Sequence, residues 1–397
     1  MLHLAIRMLL GQTARWLGVV LGVLLCTFLI THMLSMFSGM MRRSYALITD
    51  IPEVNLWVMD PAVEYVDEPA GMPSTALARV RSVEGVDWAV PLYTGSLRVR
   101  MPSGALRPVL LIGIDDATLI GAPRHLVAGS LEGLRAADAV IVDESSANAL
   151  LRTVIDPPVR GPGWFTPDLD APTRPLGVGD EMVVNDHRLV VAGVARLTPR
   201  FLSRPVLYTT YSRAEFVTPR QRNMLSYVLA RTAPGHDPED VARRIHDATG
   251  LRARTSPQFS DDTYWYFVRT TGVVARIALM IGIGVVVGVS VSSLLLYLFT
   301  VDNARYYVTF KALGATTGTI LRMVAAQALV SGFVGFGLGV GLSSAMGTAV
   351  ELEAMPYAIT TPTMLFTGGV VLFVCVVSAL LSALKVLRLD ISTVFKS

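Results

Sequence analysis

The side chains best suited to metal or acid–base chemistry are six histidines, at positions 3, 32, 125, 187, 236 and 246. Their spacing argues against both uses. His236 and His246 flank one predicted helix but stand ten residues apart, which puts them on different faces. A surface role suits them better than a shared ion. The adjacent carboxylates Asp115-Asp116 and Asp261-Asp262 fit turns and caps. Cys26 and Cys375 fall in apolar stretches, so neither a disulfide framework nor a CxxC redox or metal site is present. No HExxH, GxSxG or GxxxxGK[ST] occurs. The run GATTGT (Gly314–Thr319) has no lysine and follows no strand, so it is no phosphate cradle. No catalytic residue and no metal site is therefore expected. His32 stands out because it lies inside a long apolar run, where a polar side chain is a functional candidate by default. The plainer reading is a histidine near the interface bonded to a neighbouring helix.

The elements that must hold these residues are set by the composition. Of 397 residues, 52% are hydrophobic and only 16% charged, against about one quarter charged in a soluble domain. The formal charge of +3 and the lack of basic runs give no reason to expect nucleic acid. Four stretches without Asp, Glu, Lys or Arg are long enough to span a bilayer: 17–41, 277–301, 323–350 and 363–384. The first exceeds a signal-peptide core and is followed by GMMRRSYA rather than a cleavage site, so a retained span is expected. Residues 1–16 read as a helix on the membrane surface. Arg7 and Arg15, then Arg305, Lys311 and Arg322 in the 302–322 loop, then Lys385, Arg388 and Lys396 in the 385–397 tail, mark the cytoplasmic side. The 351–362 loop carries Glu351 and Glu353. It and the long 42–276 segment are expected outside, although Arg42 and Arg43 break the rule locally.

The fold expected is thus four transmembrane helices with a large extracytoplasmic α+β domain of two lobes between the first and second spans. Within 42–276, strand signals occur at Ser96–Met101, Arg107–Asp115, Asp138–Glu144, Glu181–Asp186 and His187–Leu197, with a hairpin turning on Asn185-Asp186. Pro157–Pro175 reads as a loop. Two distant segments share one pattern of strand, N-cap, short helix, stopping glycine and strand. One uses Ser74 and Gly85, the other Asp237 and Gly250. They place 42–110 and 200–265 in one α+β lobe and 111–199 in a mostly β lobe.

Glycines recur at intervals of four in the membrane: Gly284 and Gly288, Gly335 and Gly339, Gly337 and Gly341. Such spacing lets helix backbones approach closely. It fits either a sliding pair or ordinary bundle packing.

The stretch YVTFKALGATTGTILRMVAAQALVSGFVGFGLGVGL resembles the segment shared by ABC transporter permeases of the FtsX/MacB/LolC, or type VII, superfamily. Lys311 to Thr316 match that run, and Gln327-Ala328-Leu329 resembles the family's Glu-Ala-Leu. Ala383–Lys396 resembles its basic ending, and the layout of one span, outer domain and three spans agrees. Within the superfamily the likeness is nearest to the DevC-type permeases, which lack a fused ATPase. Tyr306 stands where the family has an acid.

The resemblance implies a permease subunit that receives work from a separate cytoplasmic ABC ATPase through a short coupling helix in 302–322. Tyr306, Tyr307 and Phe310 would fill a cleft on the ATPase. Lys311 would pair with an acid or a lipid headgroup, and Leu313 and Gly314 would complete the contact. No cofactor would be bound directly; ATP and magnesium would belong to the ATPase. The resemblance further implies a homodimer in the cell inner membrane, membrane lipids around it, and a periplasmic membrane-fusion adaptor with an outer-membrane channel. Export of a lipid, glycolipid or other amphiphile is the function expected. The alternatives are an FtsX-like regulator that moves an outer partner and transports nothing, and a membrane receptor without an ATPase.

Overall fold

The computed structural model describes residues 7–9, 11–155, 170–201, 204–219, 224–352 and 356–387. Most of the 157–175 loop, residues 1–6, Glu353 and the basic ending beyond 387 lie outside them. The chain divides into two units, residues 1–41 with 271–397 and residues 42–270.

In the outer unit the short α2 (Ala46–Thr49; α1 is the first span, below) precedes β1 (Leu56–Met59). Then come α3 (Thr75–Arg81), β2 (Val86–Arg100), β3 (Leu106–Ile114), β4 (Leu126–Gly129), β5 (Ala139–Asp143) and α4 (Glu144–Asn148). A small pair, β6 (Thr153–Val154) and β7 (Thr173–Arg174), precedes β8 (Glu181–Val184), β9 (His187–Ala195), β10 (Val206–Thr210) and α5 (Tyr211–Val217). The unit closes with β11 (Tyr227–Thr232), α6 (Pro238–Thr249), β12 (Arg252–Thr255) and α7 (Ser256–Thr270).

The two helix-bearing segments interlock. The strand order is β12-β1-β11-β2, antiparallel throughout, so each strand–helix–strand unit has a strand of the other between its own two. Alternate side chains serve opposite faces, the two-residue period of a strand. Leu56, Val58, Val228 and Ala230 pack under α3 and α6 against Val80, Val241 and Ile245. Trp57, Met59, Tyr227 and Leu229 face the other way and meet Phe259 of α7. Both faces are covered, which is why β1, Leu56-Trp57-Val58-Met59, is apolar at every position. Helix α6 has the ends its sequence promises. Pro238 opens it, the Asp237 carboxylate accepts from the Glu239 N–H at 3.4 Å, and Gly250 at φ +71° ends it. At α3 the expectation fails: Ser74 is helical in backbone and its side chain caps nothing.

The second set of strands closes on itself. β2 pairs β3, β3 pairs β10, β10 pairs β5, β5 pairs β9, β9 pairs β8, and β8 returns to β2. Closure removes the sheet edges; β4 extends the ring from β9. Its apolar filling includes Val99, Val109, Leu111, Val140, Val142, Leu189, Val191 and Leu207. The hairpin at Asn185 (φ +46°) and Asp186 (φ +66°) joins β8 to β9, since two-residue turns of this hand need positive φ at both positions. The lobe borders drawn at 110/111 and 199/200 shift. All of β3 and all of β10 belong to the ring, and the 15-residue β2 serves both sets, pairing β11 up to Leu92 and β3 from Tyr93.

The other unit holds the four apolar helices. They are α1 (Thr13–Ser44), α8 (Val273–Asp302), α10 (Thr317–Leu352) and α11 (Thr361–Leu387), with the short α9 (Ala304–Ala312) between α8 and α10. Each overruns its charge-free stretch, because helical hydrogen bonding does not stop where hydropathy does. At the N-terminus residues 7–9 and 11 are helical and Gln12 is a turn, so residues 13–16, expected in the surface helix, open α1 instead. At 1.5 Å per residue the 30 residues of α8 extend about 45 Å, ample for a bilayer's hydrocarbon core.

Candidate functional site

Nine residues of α9 join two membrane-length helices, and both ends of this connector are tied down. At its start Asn303, 2% exposed, donates from Nδ2 to the Phe299 carbonyl at 2.8 Å. The same nitrogen reaches Gln12 Oε1 at 3.2 Å, and Gln12 Nε2 returns a bond to Asn303 Oδ1 at 3.4 Å. One residue earlier Asp302 pairs with Arg15 of α1.

At its end α9 stops in a Schellman turn. The Ala315 N–H bonds the Phe310 carbonyl at 2.9 Å and the Gly314 N–H bonds the Lys311 carbonyl at 3.1 Å. Gly314 sits at φ +94°, the left-handed geometry such a turn requires. Thr316 then caps α10, its hydroxyl accepting from the Thr319 N–H at 3.4 Å. Few backbone groups at the ends of this connector are left without a bond.

The helical period splits α9 into two faces. Tyr307 and Val308 are buried, and Tyr307 joins Val19, Leu296, Ile320, Met323 and Val324 in one apolar cluster. Its hydroxyl donates to Gln327 Oε1 of α10 at 3.0 Å, and Gln327 is 1% exposed. Burial pushes the Tyr307 phenol up to about 12, so it stays a neutral donor. Phe310 is half-buried against the same cluster. The opposite face presents Arg305, Tyr306 at 59% exposure, Thr309, Ala312 and Leu313 at 79% exposure, with Arg322 exposed on α10.

Of the six residues expected to contact an ATPase, Tyr306 and Leu313 lie open, Lys311 is half-exposed, and Gly314 forms the turn. Tyr307 is turned inward onto the protein's own bundle, and most of Phe310 goes with it. Adjacent tyrosines on a helix are separated by about 100°, and here the border between the two faces of α9 falls between them. The amides Gln12, Asn303 and Gln327, which fasten the connector, were not anticipated in that role. The available signal was a glutamine buried in a charge-free span.

The glycines divide as sharply. A Cβ on Gly335 would lie 2.8 Å from Val23 Cβ and 3.0 Å from the Val20 carbonyl oxygen; on Gly339 it would lie 2.6 Å from Thr27 Cβ and 2.8 Å from the Leu24 carbonyl oxygen. These two hold α10 against α1. A Cβ on Gly288 would lie 2.5 Å from Cys26 Sγ of α1, while one on Gly284 would make only an ordinary contact, 3.6 Å from Ile30 Cγ1. A Cβ on Gly337 or Gly341 would meet nothing within 4 Å, so neither is a packing residue within the protomer. Hydroxyl pairs Ser293–Ser378 at 3.1 Å and Thr300–Ser382 at 2.6 Å join α8 to α11.

Among the described residues no three His, Cys, Asp or Glu side chains gather as metal ligands. His32 stacks on Phe28 with ring centres 5.4 Å apart and lies 5.5 Å from the ring of Tyr357. His125 is exposed. His187 sits beside Phe216, and His246 Nδ1 lies 2.9 Å from the Leu251 carbonyl oxygen. His236 is not the plain surface residue expected, since its Nδ1 is buried without a partner. Asp115 caps Thr118, Asp116 accepts from Ser212, and Asp262 pairs with Arg252 and Arg254. Cys26 and Cys375 are free and buried.

Comparison with known proteins agrees with this layout. Residues 17–248 match the family model of the MacB-like periplasmic core domain, and residues 277–391 match that of the FtsX-like permease C-terminal region. Among solved structures, the extracellular domain of the noncanonic ABC-type transporter YknZ from Gram-positive bacteria is similar at 15% identity and a TM-score of 0.33, covering 51% of this chain and 98% of that one. The periplasmic region of MacB from Actinobacillus actinomycetemcomitans is similar at 10% identity and a TM-score of 0.35, covering 54% and 94%. The two family matches together span the outer unit and the four apolar helices: the chain belongs to the MacB/FtsX-like family of ABC transporter permeases, membrane subunits that work with a cytoplasmic ABC ATPase.

Proposed function

We propose that the outward face of α9, centred on Tyr306 and Leu313 and flanked by Arg305 and Arg322, is where the ATPase docks, and that its motion enters the bundle there. The observation that carries this reading is a solvent-open apolar pair on a helix otherwise fixed at both ends. An exposed leucine and tyrosine on a stiff element fit a partner's apolar cleft, and the flanking guanidinium groups favour an acidic rim. Both termini and α9 face the cytoplasm of a cell inner membrane, with residues 42–270 outside. Two copies of the chain pair with two ATPase subunits, which supply ATP and magnesium. The outer unit passes the motion to a periplasmic adaptor and an outer-membrane channel, and the cargo is a lipid, glycolipid or other amphiphile. An amphiphile suits four spans with no polar tunnel built from charged side chains, because it need not cross between the helices.

The test is reconstitution of the purified chain in liposomes containing a fluorescent lipid, with the ATPase and adaptor added in turn. The expected result is no hydrolysis by the chain alone, hydrolysis with the ATPase, and ATP-dependent removal of the lipid when the adaptor is added. Hydrolysis and adaptor binding with no lipid movement would instead make the chain a regulator of an outer partner.

A further inference from the structure

We infer that Tyr307 and Gln327 form the link through which α9 drives α10, and that Tyr307 is a positioning residue rather than part of the docking surface. This rests on the reading of α9 as the docking helix. Three observations carry it. First, Tyr307 points away from the surface that a partner can reach, at 1% exposure, while its neighbour Tyr306 is 59% exposed. Second, its hydroxyl donates to Gln327 Oε1 at 3.0 Å, bridging two helices in an apolar surround that includes Val324 and Ala328 of α10. A neutral pair there is favoured over separation, because parting would leave the buried Tyr307 hydroxyl without its acceptor and the Gln327 Oε1 without this donor. Third, the other end of α9 is fastened differently, through the reciprocal amide bonds of Asn303 and Gln12. A push on the exposed face of α9 therefore meets a fixed end at Asn303 and a directional bond at Tyr307, halfway along the helix. Of the side-chain bonds described, the Tyr307 hydroxyl is the one by which α9 itself holds α10. Gln327 lies ten residues into α10, five residues before Gly332, where that helix lies close to Cys375 of α11, and eight before Gly335, where it meets α1. Motion delivered at Gln327 thus enters a helix whose next close contact is with another span.

The experiment uses the full chain in nanodiscs with its ATPase and reads two quantities: the dissociation constant of the pair, and the factor by which the bound permease changes ATPase turnover. Tyr307→Phe keeps the ring and removes the donor; Gln327→Leu removes the acceptor; the third variant carries both. The expected result for Tyr307→Phe is an unchanged dissociation constant, a thermal midpoint lowered by the lost buried bond, and a turnover factor reduced about five-fold, the worth of one buried neutral hydrogen bond. The double variant should lose no more than the worse single, since both changes break one interaction. Gln327→Glu, which keeps an acceptor, should retain most of the coupling. A Tyr307→Phe protein with the wild-type turnover factor would overturn the link while leaving the docking reading intact. A loss of affinity with the turnover factor preserved would overturn it too, by returning Tyr307 to the docking surface. If the wild-type chain binds no ATPase, the docking reading fails and the link fails with it.

Discussion

Two glycines two residues apart on α10 should respond oppositely to a single added methyl group. On Gly339 the new Cβ would sit 2.6 Å from Thr27 Cβ and 2.8 Å from the Leu24 carbonyl oxygen. Carbon atoms prefer about 3.5–4.0 Å, so α1 and α10 must part by about 1 Å over that turn. One obstacle is backbone, which cannot rotate aside, and overpacking of this kind costs about 1–3 kcal/mol. On Gly337 the same methyl meets nothing within 4 Å. Both substitutions gain similar helix propensity, roughly 1 kcal/mol, so the gap between them isolates the packing term. Gly339→Ala is therefore expected to be about 1–3 kcal/mol less stable than Gly337→Ala. The assay is reversible unfolding of the two variants in the same detergent under conditions that keep the chain monomeric. If Gly339→Ala proved as stable as Gly337→Ala, α10 would not rest on α1 in the way the contacts at 335 and 339 require.

Other expectations follow from the same contacts. Leu313→Asp should weaken ATPase binding at least ten-fold while leaving insertion intact, because a residue 79% exposed has no packing role within the protomer and burying its carboxylate in a partner costs several kcal/mol; binding and unfolding measured on one preparation check both halves. In the outer unit Arg200, 4% exposed, lies 3.3 Å from Asp50 and bonds the Tyr208 hydroxyl at 3.2 Å. Arg200→Leu should cost about 1–3 kcal/mol at pH 7, because it takes the neighbouring cation from the Asp50 carboxylate, which keeps the Thr198 hydroxyl bond at 2.7 Å. Burial raises the Asp50 carboxyl above its ordinary value, and Arg200 opposes that rise. The penalty thus belongs to the charged form. It is present in full above the raised value and fades as pH falls toward the ordinary carboxylate range, so the variant's deficit should shrink near pH 4. Chemical denaturation of the full chain at both pH values measures it. Asp186→Gly should be neutral or slightly stabilising, since φ at that position is +66° and glycine adopts it freely; a clear loss of stability would mean the aspartate does more than turn the hairpin.

The spans were legible because hydropathy alone defines them, and so was the Asn185-Asp186 hairpin, whose residue types leave few other conformations. The continuity of β2 was not. Pro91 and Gly95 look like interruptions, yet Pro91 pairs across to Val228 and Gly95 to Leu111, so one strand runs through both sets. β10 also went unread, being five residues directly after Pro205. In the connector the residue types were informative and the helical phase was not. Tyr306 and Tyr307 are equally aromatic, and only the packing of α9 on α10 decides which one faces outward. Gly335–Gly339 and Gly337–Gly341 share a four-residue interval but lie about 200° apart around the helix, so one neighbour cannot serve both pairs. That exclusion was available from the spacing; the choice between the pairs was not.

The proposed function requires residues 42–270 and α9 to lie on opposite sides of one membrane. The native cysteines are buried in the bundle, Cys26 at 2% and Cys375 at 4% exposure, and leave a quiet background for labelling. Val178 in the outer unit is 53% exposed and Leu313 is 79% exposed. With a membrane-impermeant maleimide on intact cells, Val178→Cys should label at once and Leu313→Cys only after the membrane is opened. Labelling of Leu313→Cys in intact cells, with Val178→Cys protected, would place the connector on the wrong side for any cytoplasmic ATPase and contradict the account.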